Sequence, residues 1–540
     1  MKTLVSLAVA LGLTAVPFAY AQYPTTLKQS AFSPAGPGTA DGFGSCTAIS
    51  GTRMVVGAPF DDTGAPDAGT IYVYDLAGPV PAVPIAILHD PLPADGDYFG
   101  FSVGLSGSLL VVGAMASDAD GADAGIAYVY DLDGPAPTVP VVTLHPPSAV
   151  PGEQFGFATA ISGWRVVVGA PYAGAGNEGV AYAYDLSSAT PAVPVATLTH
   201  AGAASGDQFG DALALSGTRV LVGAPFCDVG ALNAGAAYVY DLGGAQPGTP
   251  YLALSNPSPS AGDAFGYAVA LAGQRAVVGA PLKSLQASHP GAAFAYQLNG
   301  GSPTTPTAML RPLDPAEGDN FGAAVALSGA TALVGAPNRD VGAADAGAAY
   351  SFDLAGANPG SPLAMLTNTH PVHGELFGTA VALDGFTAAI GALSDSSDPS
   401  GVGAAYGMGP ASNDTDGDGL LDLWEYAHFG TLAGHTAGSD ADGDGVPELL
   451  ELAFNRNPLV PDVSPTPATV VEGGYLTLTI PKRAGVTYLG QSAASPMDAA
   501  FSAGTTTVLI DNATTLKFRD NAPVANGGSR FLRVKVTAAP

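Results

Sequence analysis

Short apolar runs separated by turn chemistry recur along most of the chain, and the copy that begins at Gly206 shows the pattern in full. Leu213 and Leu215 alternate with Ala212, Ala214 and Ser216, while Val220 to Val222 and Ala237 to Tyr240 are rich in β-branched and aromatic residues. A period of two sends successive side chains to opposite faces, and these residue types suit a half-buried pleated surface. With the apolar run at Tyr251 to Ser255, each copy predicts four short strands. The first run ends in a Ser-Gly step in five copies, at Ser50-Gly51, Ser106-Gly107, Ser162-Gly163, Ser216-Gly217 and Ser328-Gly329. That step predicts a tight hairpin turn and hence an antiparallel sheet.

The copies are marked by a Phe-Gly step followed about fifteen residues later by Gly-Ala-Pro or a near variant. Phe-Gly falls at Phe43-Gly44, Phe99-Gly100, Phe155-Gly156, Phe209-Gly210, Phe265-Gly266, Phe321-Gly322 and Phe377-Gly378, at intervals of 56, 56, 54, 56, 56 and 56 residues. A unit of this length cannot bury its own apolar face and needs neighbours on both sides. Seven such sheets set radially give an all-β fold: a seven-bladed β-propeller of four-stranded antiparallel blades, with an open solenoid as the alternative. The seventh copy stops after its third strand, Ala404 to Met408. Thr25 to Ser30 occupies the place that a fourth strand takes before each later Phe-Gly, so it is expected to complete the last blade and close the ring.

These motifs resemble the FG-GAP repeats of secreted bacterial proteins, distantly related to the propeller of integrin α chains. The resemblance covers about residues 24 to 410 and rests on Gly57-Ala58-Pro59, Gly169-Ala170-Pro171, Gly223-Ala224-Pro225, Gly279-Ala280-Pro281 and Gly335-Ala336-Pro337. Gly113-Ala114-Met115 and Gly391-Ala392-Leu393 depart from it. Integrin-type repeats that bind calcium carry an Asp-rich loop between the two motifs, whereas here that interval holds only a tight turn. The resemblance therefore implies the fold, and an adhesion or ligand-binding role, without calcium in the blades.

Lys2, an apolar stretch from Leu4 to Phe18 and the ending Ala19-Tyr20-Ala21 read as a signal peptide over residues 1–21, implying a secreted or cell-surface protein. No later apolar run is long enough to span a bilayer. The propeller then occupies residues 22–410, a calcium-loop segment residues 411–462, and a C-terminal module residues 463–540. The formal net charge of −29 makes nucleic acid a poor partner and cations natural ones. Cys46 and Cys227 fall in different repeats at different places in the motif, which favours two free thiols over a bridge.

Acids mark one face. The loops that enter each copy carry Asp41, Asp97, Glu153, Asp207, Asp263, Asp319 and Glu375, each two residues before its Phe. The loops between second and third strands add Asp61, Asp62, Asp67, Asp118, Asp120, Asp123, Glu178, Asp228, Asp340, Asp345, Asp395 and Asp398. Strand parity puts both sets on one side, opposite the tight turns with Arg53, Arg165, Arg219 and Arg275. Converging carboxylates could engage a cationic or metal-bridged ligand. The competing and favoured expectation is that each acid before Phe-Gly caps its own turn.

After the propeller, Asp414, Asp416, Asp418, Leu420, Asp422 and Glu425 match positions 1, 3, 5, 7, 9 and 12 of a twelve-residue calcium loop, with Gly419 at the bend. A second copy comprises Asp440, Asp442, Asp444, Val446, Glu448 and Glu451, with Gly445 at the bend. Two Ca2+ ions are expected, each loop running into a short helix, Leu421 to Phe429 and Pro447 to Phe454. With no entering helix before Asp414, the pair resembles dockerin or thrombospondin type 3 repeats and implies a structural spacer. Alternating runs from Tyr475, Val486, Thr506, Thr515 and Phe531 predict a C-terminal β-sandwich.

No catalytic constellation is recognised, and His89, His145, His200 and His370 read as repeat-equivalent residues. The expected function is a non-catalytic adhesion or ligand-binding platform, with a protein or glycan ligand on one propeller face. A carbohydrate-active hydrolase or lyase with carboxylates at the propeller mouth, and a structural surface-layer component, are the alternatives.

Overall fold

The computed structural model describes residues 41–76, 83–285, 289–356, 358–368, 371–385, 387–393 and 403–408, then 420, 434–436, 438–443, 447–449, 470–472, 475–481, 486–493, 506–511, 515–523 and 531–538. The chain forms two compact units, Met1–Gly409 and Pro410–Pro540.

Among the described residues of the first unit, six sheets have four antiparallel strands in sequence order, over residues 47–89, 99–144, 158–198, 213–255, 268–310 and 324–366. A seventh has three strands, Phe377–Asp384, Thr387–Ala392 and Ala404–Met408. The segments 1–21 and Thr25 to Ser30 lie outside the described residues. In the fourth sheet Ser216 pairs with Arg219, so the hairpin loop is Gly217-Thr218, one residue later than the Ser-Gly step suggests. Gly217 has φ +63°, and glycine at positive φ in first position is what a type II′ turn requires.

The first strand of each sheet touches the first strand of the next, from sheet one to sheet seven, and the first strand of sheet seven touches that of sheet one. The motif explains how. All seven motif phenylalanines are fully buried, and Phe265 meets Phe294 and Tyr296 of its own sheet with ring centroids 5.7 and 6.3 Å apart. Around them, Leu221, Val239 and Leu254 of sheet four pack on Val278 and Phe294 of sheet five. Each such side chain contributes about 1.5–3 kcal/mol by leaving water. The glycine of Gly-Ala-Pro has no room for a Cβ: at Gly223 it would collide with the Gly266 carbonyl of the next sheet, and at Gly391 with the Gly44 carbonyl of sheet one. Repetition of two glycines in every copy thus lets neighbouring backbones touch, and the last sheet meets the first by the same contact.

At the turn side, serines join the sheets. Ser50, Ser106, Ser162 and Ser216 each accept, through Oγ, the N–H of the turn glycine one sheet on, Gly107, Gly163, Gly217 and Gly273, at 3.0 Å. Ser328 does the same for Gly385 at 2.9 Å, and Asp384 accepts from Gly51 at 2.7 Å. Ala272 stands where sheet five would offer the hydroxyl.

In the second unit, Val470–Glu472, Tyr475–Pro481, Thr515–Pro523 and Thr506–Asp511 form one antiparallel sheet in that spatial order, and Val486–Ala493 pairs with Phe531–Ala538. Leu478, Ile480, Leu516 and Phe518 of the larger sheet are buried, and Tyr488 and Leu532 of the smaller one pack against them. Among the described residues no helix is long and apolar enough to cross a membrane.

Candidate binding site at the loop-side mouth

Six of the seven acids before Phe-Gly cap turns. All seven are buried. Asp97, Asp207, Asp263 and Asp319 accept the backbone N–H three residues earlier at 2.7–2.8 Å, and Glu153 and Glu375 do so at 3.2 and 3.4 Å. The loops between second and third strands are closed in a similar way: Asp62, Asp118, Asp228 and Asp340 accept the N–H five residues on, from Asp67, Asp123, Asn233 and Asp345. Those four donor residues sit at φ 49–51°, which Asn and Asp tolerate because their short polar side chains bond locally. Much of the expected acidic field is therefore spent on backbone N–H groups. Asp395 and Asp398 lie outside the described residues.

Burial leaves its mark on these carboxyls. Asp41 is pushed up to about 6 by burial, then by the charges of Asp61 and Asp62. Asp97 is pushed up to about 6, again chiefly by burial. Asp90, Glu153 and Asp319 are raised for the same leading reason.

Where the first strands begin, at the loop-side end of the space they surround, the position two residues after each motif Phe changes class around the ring. It reads Ser45, Phe101, Phe157, Asp211, Tyr267, Ala323 and Thr379. Phe101 and Phe157 lie 5.1 Å apart between ring centroids, and Phe157 meets Tyr172 edge-on at 6.2 Å. Asp211 is pushed up to about 7 by burial alone. Its charge in turn, after burial, raises the phenols of both Tyr172 and Tyr267, while Tyr267 stays 45% exposed. Sheets two to five thus line the mouth with aromatic rings and one readily protonated acid, and sheets six, seven and one with small residues. Sequence reasoning missed this crescent, although the signal was present as a motif position that does not repeat.

The opposite end is more regular. A cavity of about 660 Å³ is lined by Ile49, Leu105, Leu271, Leu327 and Leu383, all six residues after their Phe, and by the rim residues Ser50, Ser106, Ser216, Ser328 and Asp384. Residues of one register position from five sheets can share a cavity only if their strands surround a common axis.

The histidines are not equivalent. His89 Nδ1 pairs with Thr70 Oγ1 at 3.1 Å and His145 Nδ1 with Asp120 Oδ2 at 2.5 Å. His200 stands one residue nearer its Phe, at the register of Asp90 and Asn256, and is buried. His370 lies outside the described residues. Both cysteines are free thiols.

Of the calcium-loop ligands, Asp414, Asp416, Asp418, Asp422, Glu425, Asp444, Val446 and Glu451 lie outside the described residues, as does most of both expected helices. Leu420 is buried. Asp440 Oδ1 accepts the Gly443 N–H at 2.8 Å, bending the second loop. Glu448 is fully buried, with Oε1 3.0 Å from His435 Nδ1 and Oε2 without a hydrogen-bond partner. A buried carboxylate oxygen in that condition fits a position-9 ligand, because a cation would supply the missing interaction.

The family described as FG-GAP repeat matches residues 27–74, 86–130, 139–184, 193–240, 254–296 and 304–352, just over half of the chain. Among solved structures, the crystal structure of the WD40 β-propeller domain of Doa1 is 9% identical with a TM-score of 0.39, over 66% of this chain and 91% of that one. No curated protein matches.

Proposed function

Because the chain belongs to the FG-GAP repeat family, we propose that it is a secreted or cell-surface, non-catalytic protein whose seven-bladed propeller presents a ligand platform at the loop-side mouth. Thr25 to Ser30 supplies the fourth strand of the last blade, and a calcium-stabilised spacer leads to a C-terminal β-sandwich. The observation that carries this reading is the broken symmetry of the mouth. Phe101, Phe157 and Tyr267 offer ring faces on one side, and Ser45, Ala323 and Thr379 leave room on the other. Aromatic faces around a concave opening, with one polar group among them, suit a protein side chain or a sugar ring.

The lone acid favours binding over glycoside hydrolysis. Hydrolysis takes two carboxyls at a set separation, whereas Asp211 is the one acid among the seven positions that follow the motif Phe by two. In the spacer, the two acidic loops hold Ca2+ through Asp414, Asp416, Asp418, Leu420, Asp422 and Glu425, and through Asp440, Asp442, Asp444, Val446, Glu448 and Glu451. Ion binding there contributes folding free energy, since the clustered carboxylates repel without it.

A glycan and protein array probed with the chain from Gln22 onward, with and without calcium, tests the platform. Phe157→Ala and Tyr267→Ala each lower affinity for the captured ligand at least about tenfold, the loss of about 1.4 kcal/mol expected when an aromatic anchor goes. Unchanged affinity in both variants would remove the mouth as the site. Calcium-triggered self-assembly with no captured ligand would favour a surface-layer role instead.

A further inference from the structure

One buried place between neighbouring sheets is filled differently from copy to copy. In sheets five and six the residue eighteen after Phe is Lys283 or Arg339, whose cationic group lies 2.9 Å from the buried cap Asp263 or Asp319. In sheet four that residue is Cys227, and Asp207 has no Lys or Arg partner among the described residues. The imidazole of His200 approaches instead, Nε2 to Oδ2 at 3.4 Å.

We propose that His200, Asp207 and Cys227 bind a divalent cation of the zinc class, which does in sheet four what Lys283 and Arg339 do in the next two. One ligand atom from each residue lies within 4.8 Å of the others, a spread that bonds of about 2.0–2.3 Å from a shared centre nearly span. All three are buried, at 7, 4 and 3% exposure. Apart from that 3.4 Å approach to Asp207, neither ring nitrogen of His200 makes a hydrogen bond of good geometry, an expensive condition for a buried imidazole unless a further group completes it. Stacking on Tyr238, 4.6 Å between centroids, fixes the ring plane. Tyr238 Oη, 3.9 Å from Cys227 Sγ, is available as a further oxygen. A nitrogen, oxygen and sulfur donor set selects a borderline ion such as Zn2+ over Ca2+ or Mg2+.

Without an ion the buried thiol keeps its S–H bond. Forming the sulfur–metal bond breaks the S–H bond and releases that proton to solvent, so affinity rises with pH.

The test uses the full chain, stripped with a chelator, in excess calcium to occupy the acidic loops, and titrated with Co2+ and then Zn2+. One equivalent of Co2+ is expected to give a thiolate-to-cobalt charge-transfer band that Zn2+ bleaches, and Zn2+ to raise Tm. Cys227→Ser and His200→Ala lose the band, and Cys46→Ser keeps it. Cys227→Lys, which places an ammonium where Lys283 has one, folds and shows neither the band nor a zinc-dependent Tm. That variant decides the matter if Cys227→Ser fails to fold. No band in the parent chain, or a band that persists in Cys227→Lys, overturns the proposal.

Discussion

The two ends of the space enclosed by the first strands are built on the same seven strands and differ in one respect. At the turn side, a serine hydroxyl joined to a glycine N–H recurs from sheet to sheet, with Asp384 and Ala272 as the substitutions. At the loop side, the position two after Phe runs from serine through phenylalanine, aspartate and tyrosine to alanine and threonine. A position that every repeat needs for its own contacts cannot vary in this way. The regular rim holds the sheets together, whereas the varied mouth is free to be shaped for a ligand.

The comparison breaks most visibly if a repeated position proves dispensable. Phe265→Ala is expected to cost about 3–5 kcal/mol in thermal or denaturant unfolding, as for other fully buried aromatics. Phe157→Ala, at the half-buried mouth, should leave stability within about 1.5 kcal/mol and lose ligand instead. Comparable destabilisation by both would erase the distinction. Acidity sharpens it next. Asp41 and Asp97 titrate near 6 when folded, above their ordinary values, so between about pH 4 and 6 the folded chain binds protons that the unfolded chain has released. Stability should therefore rise as pH falls from 7 towards 5, read as an increase in Tm. His200, lowered by burial, opposes this as a single group below its ordinary value. At the mouth, ligand affinity should change across pH 7 with the Asp211 proton, and Asp211→Asn should flatten that profile. The smallest effect belongs to the rim. Ser162→Ala is expected to cost about 0.5–1.5 kcal/mol, and Ala272→Ser to recover up to a similar amount by offering Gly329 an acceptor.

The fold was legible because its signals are local and repeated. Period-two alternation placed the strands, and the Phe-Gly interval set the sheets one after another. The caps were legible too, since an acid repeated two residues before Phe points to a local backbone duty, which six of the seven perform. The mouth was not, because the neighbours of Asp211 come from other sheets, and Tyr172 and Tyr267 reach it only once the first strands stand side by side. The histidines misled for a related reason: a shift of one residue moves His200 from the surroundings of His89 and His145 into the buried place beside Asp207 and Cys227. The serine hydroxyls read as turn formers, yet each accepts a bond from the next sheet, which no single repeat reveals.

The contact of Gly391 with the Gly44 carbonyl bears on how the protein comes into being. A nascent chain holding only the early repeats has nothing to seat against its leading sheet, whose partner lies more than 300 residues downstream. That face of the leading sheet must wait uncovered until the final repeat has been synthesised, which slows assembly. Once the last sheet is in place, its Gly391 seats against the leading sheet as every other sheet seats against its neighbour.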